Sequence, residues 1–160
     1  MGSSRSKSRK QSAANFQTPP NPTVFFLDRS LGKLTITDAL RKANLKVEIH
    51  DDHFKLDEKD IEWLKFVGKK GWFVITKDDR IRYRPLERMA LINSGVGAFI
   101  VTCKGLNGQQ IADLIIPKLT SMYKLIEKST RPFIAKITRD GVSIIVDCHN
   151  NNLSQKKRKK

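Results

Sequence analysis

Two aspartates follow short apolar segments of the chain, and this repetition is the first sign of chemistry. Asp28 comes directly after VFFL, and Asp78 comes two residues after WFVIT. If both segments are parallel strands of one sheet, their carboxyl ends share an edge at which ligands bind. Converging carboxylates repel each other unless a cation neutralises them, and hard oxygen ligands select Mg²⁺ or Mn²⁺. The pair therefore predicts a metal site for phosphoryl chemistry, although each acid alone is also typical of a turn.

Further acids lie where they could complete such a site. Asp60 falls in the first turn of a predicted helix, where an acid also meets the helix dipole favourably, so capping is the alternative. Glu62, in the same predicted helix, is another candidate ligand. Asp79 follows Asp78 directly and is either a further ligand or a turn residue. The segment HDDHF at 50–54 is either a small cluster of metal-binding residues or a polar turn, with Asp52 as a possible outer ligand.

Positive charges follow the second strand-end acid. They are Lys77, Arg80, Arg82 and Arg84. The alternate spacing of the three arginines would place them on one face of an extended segment. Beside a metal site they would bind a substrate phosphate; ordinary surface charge is the equally weighted alternative.

The net charge of +15 on 160 residues indicates a polyanionic partner. Nine of the positive charges lie near the chain ends, which leaves +6 for the body. Residues 1–22 and 149–160 are predicted to be disordered basic tails, and residues 23–148 a single domain. A nucleic-acid-binding arm is the alternative for the tails.

Several classes of protein lack support in the sequence. Cys103 and Cys148 are too few for a disulfide framework, and no Cys/His spacing indicates zinc, so we expect a cytoplasmic protein. No apolar run is long enough for a membrane span, and we expect no membrane partner. The phosphate loop GxxxxGK, the dinucleotide motif GxGxxG and an ordered Ser/His/Asp set do not occur.

Apolar patterns predict strands alternating with helices. Strands are expected at 24–27, 45–49, 72–76 and 98–102, with helices between them from about 36, 57 and 85. The second helix is expected to begin with Asp57 as its N-cap and to end before Gly68. A helical stretch with a break near Pro117 should follow over 109–128, and then a hairpin of 133–138 and 142–146 turned at Asp140 and Gly141. This order predicts a three-layer α/β/α domain with a mainly parallel sheet and a C-terminal antiparallel hairpin.

The same residues resemble a known family, the PIN-like ribonuclease domains, and in particular the small VapC-like toxin branch. The resemblance is carried by FFLDRSLG, HDDHF, DIEWL, GWFVITKDDRIRYRP and RPFIAKITRDG, which span roughly residues 24–146. It implies an acidic pocket that holds Mg²⁺ or Mn²⁺, formed by Asp28, Asp60 and Asp78. Members of the family often supply a fourth acid downstream. Here the chain turns basic after Asp79, so Asp79, Glu62 or Asp52 must substitute, or the site has fewer ligands.

The resemblance implies an endoribonuclease that uses one or two divalent ions to hydrolyse RNA and leaves a 5′-phosphate. It also implies a cognate antitoxin that covers the acidic crevice with basic groups, and a homodimer is possible. Two alternatives remain at this point. One is a non-catalytic nucleic-acid-binding module whose acids are turn residues, and the other is a pseudo-enzyme that acts only through a partner.

Overall fold

The structure is a computed structural model that describes residues 23–32, 34–55, 57–147 and 151–152. The predicted tails, 1–22 and 149–160, lie almost wholly outside these residues, as does Cys148. For Arg80 and Arg82 only the backbone is described. Within this part of the chain, no helix has both the length and the apolar character that crossing a membrane requires.

A single sheet forms the centre of the described chain, in the order β2-β1-β3-β4-β5-β6-β7. Its strands are β1 (Val24–Leu27), β2 (Lys46–Ile49), β3 (Phe73–Thr76), β4 (Gly97–Val101), β5 (Phe133–Thr138), β6 (Gly141–Asp147) and β7 (Asn151–Asn152). The pairings of β1 through β5 are parallel, and β5-β6 and β6-β7 are antiparallel. The predicted fold class, with a C-terminal antiparallel hairpin on a mainly parallel sheet, is confirmed.

Five α-helices connect the strands in the described chain. They are α1 (Thr35–Lys42), α2 (Asp60–Lys70), α3 (Pro85–Asn93), α4 (Gly108–Ile115) and α5 (Leu119–Lys128). The break predicted near Pro117 is present as a 3₁₀ turn, Ile116–Lys118, between α4 and α5. Asn107 and Gln110 form a reciprocal capping box at the start of α4, which satisfies backbone N–H groups that a helix end leaves unpaired.

Helices cover both faces of the sheet because its central strands are apolar on both sides. Phe25 of β1 packs into one core with residues of α1, α4 and α5, whereas Phe26 packs into the other with residues of α2 and α3. Successive side chains of a strand point to opposite faces, so one apolar run supplies both cores. This arrangement leaves the carboxyl ends of β1, β2, β3 and β4 on one common edge.

The boundaries predicted for α2 are wrong at both ends. The helix begins at Asp60, three residues after the expected cap Asp57, and it continues through Gly68 to Lys70. Gly71, with φ of 74°, provides the left-handed stop instead. Gly68 lies within the helix for a packing reason: a Cβ there would lie 2.1 Å from the backbone oxygen of Ser94, which follows α3.

The hairpin turn is displaced by one residue from its predicted position. Thr138 pairs with Gly141, so the two loop residues are Arg139 and Asp140. Gly141 belongs to the strand, where its φ of 153° favours glycine.

Candidate active site

The two strand-end aspartates lie together because β1 and β3 are neighbours. The backbone N–H of Asp28 donates to the carbonyl of Ile75 at 3.1 Å, which extends the β1-β3 ladder by one bond. The hydroxyl of Thr76, the last residue of β3, donates to Oδ2 of Asp28 at 2.8 Å. The same hydroxyl oxygen accepts from the backbone N–H of Asp78 at 3.0 Å. One buried hydroxyl thus joins two acids that lie fifty positions apart in the sequence.

Ser30 completes the hydrogen bonding around this hydroxyl. Its Oγ lies 3.1 Å from Oγ1 of Thr76 and accepts from the backbone N–H of Lys77 at 3.2 Å. Because the Thr76 proton is directed to Asp28, Ser30 donates and Thr76 accepts. The two lone pairs of Thr76 Oγ1 are then used by Ser30 and by Asp78. In the structure the Thr76 side chain therefore orients the Asp28 carboxylate.

Asp60 begins α2 and faces the same edge of the sheet. Its Oδ1 accepts a hydrogen bond from Nε1 of Trp63 at 2.9 Å, and Trp63 is buried in the core. Burial is the largest influence on this carboxyl and raises its pKa. The Trp63 hydrogen bond lowers the pKa, and the negative charges of Asp28, Glu87 and Asp78 then raise it. The three acids predicted as ligands are therefore within electrostatic reach of one another.

Glu87 is an acid that the sequence analysis did not identify. It lies in the first turn of α3, its side chain is only 22% exposed, and its charge acts on Asp60 more strongly than that of Asp78. Arg84 Nη1 lies 3.4 Å from Glu87 Oε2. A glutamate two residues after the N1 proline looks like an ordinary helix-dipole residue, so its only sequence signal was its position downstream of the second strand-end acid.

The other predicted ligands lie less favourably. Glu62 and Asp52 are exposed, and neither is among the charges that influence the pKa of Asp60. Asp52 belongs to a short 3₁₀ turn, His50–Asp52, after β2. Asp79 is half-buried at the start of another 3₁₀ turn, Asp79–Arg82. Glu87 raises the pKa of Asp60, whereas Asp79, Glu62 and Asp52, the acids considered for a fourth position, are not among the charges that do so.

The expectation of an extended segment carrying three arginines is wrong. Arg80 and Arg82 lie in the 3₁₀ turn, where a spacing of two residues does not repeat a face because the helix has three residues per turn. Arg84 is exposed and paired with Glu87, and Lys77 is exposed directly before Asp78. The side chains of Arg80 and Arg82 lie outside the described part of the structure.

The donor set suits a hard divalent cation. Asp28, Asp60, Asp78 and Glu87 offer only carboxylate oxygens. The repulsion that Asp28, Asp78 and Glu87 exert on Asp60 is an unfavourable term that a bound cation would remove. Among the described residues, however, no three His, Cys, Asp or Glu side chains are already arranged as a metal-binding group. The three other acids are within electrostatic reach of Asp60 at one edge of the sheet, which we call the crevice, and the four do not form a closed ligand cage.

Comparison with known proteins agrees with this architecture. Residues 23–103 match the family model described as a PIN like domain, and this stretch contains all four acids. The chain is 27% identical over 103 residues to a protein named "Putative ribonuclease VapC45" from Mycobacterium tuberculosis (strain ATCC 25618 / H37Rv), covering 62% of this chain and 75% of that protein. No solved structure matches the chain significantly. The matched segment covers half of the sequence and includes β1 through β4, and the chain belongs to the PIN-like domain family.

Proposed function

We propose that the protein is a metal-dependent endoribonuclease and the toxin of a toxin-antitoxin pair. The observation that carries the proposal is the electrostatic coupling of Asp60 to Asp28, Glu87 and Asp78 at the carboxyl edge of a parallel sheet. Clustered carboxylates raise one another's pKa and are unfavourable for folding, so they are typical of functional sites. Similarity to a mycobacterial protein whose name includes ribonuclease supports RNA as the substrate.

Asp28, Asp60 and Asp78 would hold Mg²⁺ or Mn²⁺, and we propose Glu87 as the fourth acid. Asp79 is proposed as an outer member of the site. A bound divalent ion would supply Lewis acidity that activates water and neutralises charge on the phosphodiester. Thr76 holds one oxygen of Asp28 and leaves the other available, which fixes the direction in which that carboxylate presents its charge.

Basic residues would position the RNA backbone beside these acids. Lys77 is exposed next to Asp78, and Arg84 lies against Glu87 at the start of α3. A guanidinium in this place both shields the acid cluster and offers donors to a phosphate oxygen. Arg80 and Arg82 also remain proposed phosphate contacts, because they follow Asp78 and Asp79 closely in the sequence.

The test is cleavage of structured and unstructured RNAs with Mn²⁺ or with a chelator. Asp28→Asn should abolish Mn²⁺-dependent cleavage while RNA binding is kept or improved, because one negative charge near the phosphates is lost. Asp113→Asn, an exposed acid of α4 paired with Gln109, is the matched control and should cut like the wild type. Cleavage that survives Asp28→Asn would contradict the proposal, and so would cleavage in the presence of chelator.

We also propose where the antitoxin binds. A groove of about 550 Å³ runs between α2 and α3 and is lined by Ile61, Lys65, Gly68, Lys69, Leu86, Met89, Ala90, Asn93 and Ser94. Leu86 is 72% exposed and Met89 is 57% exposed, which is unusual for large apolar residues on a helix. One end of the groove adjoins the crevice, because Asp60 precedes Ile61 and Glu87 follows Leu86.

The charges along the groove define the partner segment. Lys65 and Lys69 are exposed on the α2 side and suit acidic residues, whereas the carboxylates at the crevice end suit a basic one. An amphipathic helix with apolar residues at a spacing of three to four would fit between them. Such a segment would cover the crevice as it fills the groove.

A growth assay tests this surface. Genomic fragments that restore growth to cells producing the wild-type protein identify the antitoxin. Met89→Asp should then retain RNA cleavage in vitro but escape neutralisation, because the introduced charge lies in the apolar part of the groove. Lys124→Asp, on α5, is the control and should stay neutralised. A Met89→Asp variant that folds, cleaves and is still neutralised would show that the antitoxin binds elsewhere.

A further inference from the structure

A second, smaller pocket lies beside the acids on the opposite side of β1 from β3. It has a volume of about 210 Å³ and is lined by Leu27, Arg29, Gly32, Ile49, His50 and Asp51. Leu27 and Arg29 flank Asp28 in the sequence, and Ile49 to Asp51 follow the neighbouring strand β2. The pocket therefore opens on the same edge of the sheet as the crevice, one strand away from Asp78.

His50 gives this pocket an unusual wall. The side chain is only 3% exposed and is packed against the rings of Phe26, Phe54 and Trp63, at centroid distances of 6.2, 5.3 and 6.0 Å. Its Nδ1 is buried and has no hydrogen-bond partner among the described residues. The carboxylate oxygen Oδ1 of Asp51 lies 3.7 Å from this nitrogen, beyond hydrogen-bonding distance. A buried polar atom in this state requires an explanation, because nearly all such atoms in folded proteins are paired.

The chemistry of the pocket suits a ligand that is flat, apolar on its faces and polar at its edge. Leu27 and Ile49, which are only 1% and 9% exposed, form the apolar part of its lining. Asp51 and Arg29 contact each other at 3.4 Å, so the rim carries both signs of charge next to the imidazole. A phosphate alone would suit Arg29 but would be repelled by Asp51. A nucleobase has stacking faces and both donors and acceptors at its edge, as the bases that proteins read in single-stranded RNA do.

We propose that this pocket binds an RNA base next to the phosphodiester that is cut, with the edge of the base hydrogen-bonded to His50 Nδ1. The proposal rests on the ribonuclease function and names the part of the substrate that the chain would read. His50 is then a specificity-determining residue, held in place by its aromatic neighbours. The strand spacing supports the assignment, because the base would occupy the end of β2 while its phosphate lies over the end of β1.

The experiment uses the full-length wild-type protein labelled with ¹⁵N at its three histidines. AMP, GMP, CMP and UMP are added one at a time, at constant pH and without divalent metal, and ring-nitrogen shifts are recorded by NMR. At least one nucleotide should move the His50 Nδ1 resonance in a saturable way. Ribose 5-phosphate and inorganic phosphate, which lack a base, should not.

Two variants make the result specific. His50→Phe keeps an aromatic ring for the packing with Phe26 and Trp63 but removes the nitrogens. It should weaken the binding of the preferred nucleotide about tenfold or more. His53→Phe alters an exposed histidine whose Nε2 lies 2.7 Å from Glu48, and its affinity should equal that of the wild type. Thermal unfolding of both variants verifies that they are folded.

Three results would overturn the proposal. They are equal shifts with ribose 5-phosphate, unchanged nucleotide affinity in a folded His50→Phe protein, or no nucleotide that moves His50. Because this binding assay needs neither metal nor cleavage, it separates the two proposals. Saturable base binding at His50 without RNA cleavage would reject the ribonuclease function alone, whereas Asp28-dependent cleavage without binding at His50 would reject the pocket alone.

Discussion

Replacing Thr76 by valine tests the hydrogen-bonded centre of the site. Valine keeps the shape of the side chain and substitutes a methyl group for the hydroxyl. The change removes the donor to Asp28 and the acceptor for the Asp78 N–H, and it removes the contact with Ser30. Thr76 is only 1% exposed, so water does not readily take its place.

The expected cost follows from these three bonds. A hydrogen bond to a charged group contributes about 1.5–3 kcal/mol, and a neutral one about 1 kcal/mol. Asp28 is half-buried, so water recovers part of the loss. We therefore expect Thr76→Val to lower the free energy of unfolding by about 2–4 kcal/mol. Thr76→Val should also lower the affinity for Mn²⁺, because the Asp28 carboxylate is no longer oriented.

Thr37 provides a matched control for the same substitution. It is 3% exposed in α1, and its hydroxyl has no hydrogen-bond partner within the described chain. Removing an unsatisfied buried hydroxyl is expected to be neutral or to stabilise by up to about 1 kcal/mol. Urea unfolding of the metal-free wild type, Thr76→Val and Thr37→Val measures all three. Equal losses of unfolding free energy in both variants would refute the role assigned to Thr76. Such a result would show that valine is poorly tolerated at buried threonine positions in general.

Three further predictions concern the acids and the helices that carry them. Asp60→Asn should raise the Tm of the metal-free protein at pH 7, because the raised pKa of Asp60 means that ionising this carboxyl destabilises the folded state. The gain in Tm should shrink at acidic pH, where the wild-type Asp60 carboxyl is protonated and neutral like the asparagine. In calorimetric titrations, the Glu87→Gln protein should bind Mn²⁺ about tenfold more weakly than the wild type, and the Glu62→Gln protein, changed at an exposed position, should bind it equally well. If Glu62→Gln instead loses affinity and Glu87→Gln does not, the fourth ligand is Glu62. Gly68→Ala should lower the free energy of unfolding by about 1–3 kcal/mol, because its Cβ would collide with the Ser94 backbone, and an unchanged urea midpoint would show that α2 and α3 separate freely.

The shared edge of Asp28 and Asp78 was predictable because it requires only that both segments are parallel strands of one sheet. An apolar run covered on both faces indicates a buried parallel strand, and parallel strands end on one edge. That β1 and β3 are direct neighbours, which brings the two acids together, was not predicted and comes from the structure. Asp60 was less determined, since an acid in the first turn of a helix has a capping role as well, and the resemblance to PIN-like domains rather than the local pattern favoured it.

Glu87 was not predictable from local sequence because its position depends on how two helices pack. Asp60 and Glu87 lie in the first turns of α2 and α3, so the distance between those helices sets the distance between the two carboxylates. The close approach of Gly68 to Ser94 allows the helices to come together, and the pattern alone suggested that Gly68 ended α2. The wrong C-terminal end of α2 has a separate cause: a glycine used for close packing has the same sequence signature as a glycine used as a helix stop.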